Sequence, residues 1–140
     1  MTPIHAAVLL PGPATTATAL ALTAPISFWG GVDPKTARIA DVRHPEYGQD
    51  ISGRILLVPA TVGSSSAAAI LLELVHAGRA PAALVLHEPD AILLLGLIVA
   101  KEMGYATPIA LRLDRDEFAS LHGRELDISD EGVVRVPTVP

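Results

Sequence analysis

The chain has 140 residues, half of them apolar, and a formal net charge of −5 from ten Lys plus Arg against fifteen Asp plus Glu. That length suits one domain with a real core, and the lack of any basic run argues against nucleic acid, whose phosphates need a positive footprint. There is no cysteine, which excludes disulfides, thiolate nucleophiles and any zinc or iron–sulfur site ligated by this chain's own sulfurs.

In chain order, Met1 to Ala24 is alanine-rich but has no basic n-region, and Pro11-Gly12-Pro13 interrupts it. It therefore reads as part of a mature cytoplasmic protein and not as a secretion signal. Short apolar runs at Ala6 to Leu10, Ala17 to Leu22, Ile26 to Trp29 and Arg38 to Val42 predict strands separated by Pro, Gly and Asp-Pro turns. Val32 to Thr36 reads as a turn and His44 to Gln49 as a loop, before a fully buried strand at Ile55 to Val58.

From Ser64 the period changes. Ala67, Ile70, Leu71, Leu74 and Val75 fall on one helical face, and Gly78 supplies a stop. A strand at Ala82 to Leu86, a helix from Pro89 to Met103 ended by Gly104, and a strand at Pro108 to Leu113 follow. Strand and helix alternating at these lengths imply parallel crossovers. Asp114 to Leu121 predicts a short helix capped by Asp114, and Glu125 to Ile128 with Val133 to Val136 a closing hairpin. The expected architecture is one α/β domain over residues 1–140, in three layers of β on β on α. The longest apolar run, Ala91 to Ala100, is far short of the roughly 18 to 20 residues that span a bilayer, so no membrane segment is expected.

The most informative junction is Leu56-Leu57-Val58-Pro59 running into Gly63-Ser64-Ser65-Ser66 at a helix start. The first amides of a helix lack intrahelical partners and carry the positive end of the macrodipole, which favours anions and activated oxygens. The plainer reading is that one of the three serines is an ordinary N-cap, contributing about 1 kcal/mol. Phe28-Trp29-Gly30-Gly31 places two glycines where a backbone could approach something closely, and His44 is a candidate contact to substrate or partner. His87-Glu88-Pro89-Asp90 matches no standard metal spacing, so no metal ligand is assigned in this chain.

Ser27 to Pro34, His44-Pro45, Gly48, Gly53 to Pro59, Gly63 to Ser66 and Ala80 to Ala83 together resemble the small subunit, or swivel domain, of the aconitase X family, over roughly Ala6 to Val136. The resemblance implies a swivelling β/β/α fold that pairs with a cysteine-bearing large subunit holding an iron–sulfur cluster. It also implies dehydration of a small hydroxy acid, cis-3-hydroxy-L-proline or mevalonate 5-phosphate. The alanine- and arginine-leaning composition and the few basic residues near the turn favour the first. Related aconitase swivel domains carry a Gly-Ser-Ser-Arg turn whose first serine, as alkoxide, removes the substrate proton. Carried over, Gly63 is the turn glycine, Ser64 the catalytic serine, and Ser65 and Ser66 substrate-binding neighbours, with Gly30, Gly31 and His44 bordering the cleft. The family arginine is absent, Ser66 standing in its place, so the charge clamp is expected from the partner. A swivelling, partner-binding domain without an essential base is the non-enzymatic alternative.

Overall fold

The computed structural model describes residues 2–63 and 65–137. Among these, eight strands form one sheet: β1 (Ile4–His5), β2 (Ala7–Leu10), β3 (Thr15–Ala21), β4 (Ile55–Val58), β5 (Ala83–Leu86), β6 (Ile109–Arg112), β7 (Glu125–Ile128) and β8 (Val133–Arg135). Their order is β1-β8-β7-β3-β4-β5-β6-β2. The two ends of that order, β1 and β2, are separated in sequence only by Ala6, so the sheet is nearly closed on itself. β3 to β6 pair in parallel, as the strand–helix alternation predicts, while β2, β7, β8 and β1 join antiparallel.

The layers follow from the period-2 alternation of side chains along the parallel strands. Ile55, Leu57, Ala83, Val85, Ile109 and Leu111 point one way, onto Leu126, Ile128 and Val134 of the antiparallel strands, with Phe118 and Leu121 closing that core. Leu56, Val58, Leu84, Leu86 and Ala110 point the other way, onto two helices. Both faces of β4 and β5 are therefore buried, which is why these strands read as continuous apolar runs. The result is the expected β on β on α.

The covering helices are α2 (Ser66–His76) and α3 (Ala91–Glu102), and the kinked turn Phe28–Gly31 (α1) and a single turn Phe118–Leu121 (α4) complete the helical elements. α2 buries Ala67, Leu71, Leu74 and Val75, the face its periodicity foretells. Both long helices end in a wrapped-back turn, with Arg79 N–H donating to Leu74 O at 2.8 Å and Tyr105 N–H to Ala100 O at 3.0 Å. α3 is capped by the Asp90 carboxylate, which accepts from the backbone N–H groups of Ile92 and Leu93. Asp114 accepts from Asp116 N–H at the start of a 3-10 turn, Arg115–Glu117, so the expected third helix splits into that turn and α4.

Two expected strands do not form. Ile26 makes an isolated bridge with Thr61, and the chain then turns through Trp29 (φ −77°, ψ 115°) and Gly30 (φ 80°, ψ −21°), the angles of a type II turn. Arg38 to Val42 contributes only isolated bridges, Val32 with Ile39 and Arg38 with Asp50. Side chains capture the local backbone here: Asp33, Asp41 and Asp50 each accept from the N–H two residues on. Such Asx turns compete with ladder hydrogen bonds.

Candidate active site

After β4 the chain runs Pro59 to Val62 beside Ile26. Ile26 N–H donates to Ala60 O at 3.1 Å and Val62 N–H to Ile26 O at 3.0 Å. Phe28 to Gly31 and Gly63, from the two motifs singled out in the sequence, thus follow one paired segment, and α1 packs on α2. Gly63 has φ +131°, and a Cβ there would stand 2.7 Å from Ser27 Oγ. That hydroxyl in turn donates to Trp29 O at 2.9 Å. Only glycine fits this position, on backbone and packing grounds together.

Gly31 is buried and its carbonyl accepts from Ala40 N–H at 2.8 Å. Gly30 is exposed, and a Cβ there would meet nothing within 4 Å. Trp29 and Val62 stand beside these glycines with 61% and 60% of their surface exposed. Ser65 occupies the N-cap position of α2 with αR backbone (φ −57°, ψ −20°), and its side chain makes no cap hydrogen bond. Ser66 opens the helix and is exposed. Ser64 lies outside the described residues.

His44 sits elsewhere in the network. It is 7% exposed; its Nε2 lies 3.1 Å from Ala24 O and its Nδ1 accepts from Glu46 N–H at 3.0 Å. The acceptor role at Nδ1 places the ring proton on Nε2. The imidazole therefore fastens the His-Pro loop to the segment after β3, and its contacts run to Ala24 and Glu46, not to the glycine–serine turn.

Beyond these residues, nothing in the sequence marks a link between Thr61 and Asp90. Thr61 Oγ1 donates to Asp90 Oδ2 at 2.6 Å while Asp90 Oδ1 caps α3, so the approach to the turn is tied to the next helix. The partners are 29 residues apart, beyond any local pattern. His87 is held similarly: its Nδ1 accepts from Arg115 N–H and its carbonyl from Arg112 Nε, both at 3.0 Å. The Asp114 carboxyl is held below its usual range by the N–H of Asp116, with partial desolvation opposing and His87, Arg112 and Arg115 assisting. No group of three or more His, Asp or Glu among the described residues could hold a metal ion. With no cysteine in the sequence either, this chain's residues do not fit an iron–sulfur cluster.

A pocket of about 780 Å³ lies along the end of β3, lined by Leu20 to Thr23, Glu46, Arg54, Pro59, Arg115 and His122 among others. Pro59 is common to this pocket and to the approach to Gly63.

Residues 4–136 match the sequence profile of the aconitase X swivel domain. The chain belongs to that family. It is 50% identical over 97 residues to a cis-3-hydroxy-L-proline dehydratase of Pseudomonas aeruginosa, covering 68% of this chain and 17% of that protein. It is 34% identical over 118 residues to the phosphomevalonate dehydratase small subunit of Methanothermobacter thermautotrophicus, covering 83% of this chain and 86% of that subunit. The crystal structure of Thermococcus kodakaraensis aconitase X in its holo-form superposes with a TM-score of 0.84 at 24% identity, over 99% of this chain and 100% of that one. That likeness establishes the fold. The swivel domain spans less than a fifth of the hydroxyproline dehydratase it matches, so most of that relative's length has no counterpart in this chain. No helix among the described residues is long and apolar enough to cross a membrane.

Proposed function

We propose that this swivel domain is the small subunit of an aconitase X type dehydratase acting on cis-3-hydroxy-L-proline, with Ser64 as the base. The observation that carries the substrate is the 50% identity to a protein named for that activity, against 34% to a phosphomevalonate dehydratase small subunit. Three features support the site. The turn glycine is locked by Ser27, the Ser65 hydroxyl makes no cap bond, and the exposed Trp29 and Val62 beside the turn suit a face covered by a large subunit.

In this reading the Ser64 alkoxide takes the proton from the carbon beside the carboxylate, and the freed electron pair forms the double bond as the neighbouring C–O bond breaks. The departing hydroxide leaves as water with a proton from solvent, to which Ser64 in turn gives its own. A serine hydroxyl is a weak base at its free pKa and needs its alkoxide stabilised. The first amides of α2, aligned with the helix dipole, supply part of that stabilisation and donate to a substrate carboxylate. Ser65 and Ser66 orient the substrate, and Gly30 leaves room at the cleft edge, whereas Gly31 is buried against Ile26 and serves the turn behind it. His44 acts from behind, by fixing its loop. The iron–sulfur cluster and the cationic clamp belong, in this reading, to the cysteine-bearing large subunit.

The test is the substrate preference of the complex reconstituted from this chain and its large subunit. Turnover of cis-3-hydroxy-L-proline well above that of mevalonate 5-phosphate is expected. The reverse preference would overturn the substrate assignment, and turnover by this chain alone would overturn the two-subunit reading.

A further inference from the structure

The pocket along β3 has an unusual balance of donors and acceptors. Glu46, one of its two carboxylates, is already engaged: its Oε1 accepts from Thr23 N–H at 2.6 Å and its Oε2 from the Thr23 hydroxyl at 2.9 Å. The other, Asp116, is exposed to solvent. The donors are not engaged. Arg54 Nε is shielded from solvent without a hydrogen-bond partner, and its guanidinium makes no ion pair with any described carboxylate. His122 accepts from Ala21 N–H at 3.0 Å through Nδ1, which leaves a proton on Nε2 as a donor when the ring is neutral. Arg115 adds a second guanidinium to the wall. The Arg54 side chain is partly buried, and a shielded N–H of a cation without a partner carries a desolvation cost that an anionic acceptor would remove.

We propose that this pocket is an anion-binding site, in which a carboxylate or phosphate group pairs with the Arg54 guanidinium and is assisted by Arg115 and His122. Planar, forked donation by arginine suits two oxygens of one group. The apolar part of the wall, with Leu20, Leu22 and Phe118, fits a short carbon skeleton behind the charged group. This inference stands apart from the role of Ser64, since none of its residues belongs to the glycine–serine turn. The oxyanion has two possible sources, a free small acid or an Asp or Glu side chain of the large subunit.

The test follows, by NMR in the full chain at constant ionic strength, the Arg54 Nε–H signal together with the backbone amides of Thr23 and Gly123, which line the same pocket. Acetate and inorganic phosphate serve as probes in one arm, and the large subunit in the other. A saturable shift with the probes indicates a small-molecule site; a shift with the large subunit alone assigns the oxyanion to that subunit. Read at the Thr23 and Gly123 amides, since Arg54→Gln has no Nε–H of its own, either response should weaken by about tenfold or more in that variant, the size expected for losing a charge-assisted pair, with amides remote from the pocket unchanged. Should Arg54→Gln fail to fold, the exposed Arg115→Gln replaces it, with a several-fold weakening expected. The proposal falls if neither arm moves the signal, or if the variant responds as the parent chain does.

Discussion

At Gly63 two constraints coincide, a left-handed φ of +131° and a Ser27 hydroxyl 2.7 Å from where a Cβ would be. Gly63→Ala should therefore destabilise the fold by about 1–3 kcal/mol, read as a drop of several degrees in Tm. The companion change Gly63→Ala with Ser27→Gly relieves the packing part alone, and should recover only a fraction of the loss. A Gly63→Ala chain as stable as its parent would show that the turn is not held as described. The same contact explains why a glycine must precede the serines: the paired segment 26–31 occupies the space a side chain would need.

At the level of elements, the α2–α3 contact decides the helical layer. A Cβ on Gly96 of α3 would lie 2.4 Å from the carbonyl oxygen of Ala68 on α2, so the two backbones touch. His76 Nδ1 and Tyr105 Oη, 2.5 Å apart, join the C-terminal ends of the same helices. Gly96→Ala should push the helices apart and cost about 1–3 kcal/mol by overpacking, whereas Leu95→Ala, on the exposed face, should cost well under 1 kcal/mol. Chemical denaturation of both variants checks this, and equal effects would contradict the close-packed interface. This half of the fold, β4 through β6, was legible in the sequence. Its strands are apolar on both faces, its helices show a 3.6-residue period, and glycines stand where the helices stop. Between residues 24 and 54 the turn at Val32 to Thr36 and the loop at His44 to Gln49 were legible, but the strands expected at Ile26 to Trp29 and Arg38 to Val42 were not, because Asx turns and single bridges hold the backbone there. The candidate site was legible as two motifs, but their adjacency was not. It depends on the Ile26–Thr61 bridge, and the Thr61–Asp90 link and the Arg54 pocket likewise join residues far apart in sequence.

For the molecule as a whole, a nearly closed sheet with a core on each face carries Gly63 and the start of α2 at one end of its parallel strands. Ligand sites in α/β folds gather at the carboxyl ends of the strands, and the loops after β4 and β5 meet there through Thr61 and Asp90. With no cysteine in the sequence and no metal-ligand group among its described residues, the molecule suits the proposed role of presenting one half of a cleft to a second chain. The central claim is that Ser64 is the base of the shared site, and Ser64→Ala in the reconstituted two-subunit complex tests it most directly. Turnover should fall by about 10²–10⁴-fold, the usual contribution of a general base, while the variant still binds the large subunit and keeps its Tm. Near-normal turnover of the intact variant complex would contradict the account and leave this chain a partner-binding domain without a base.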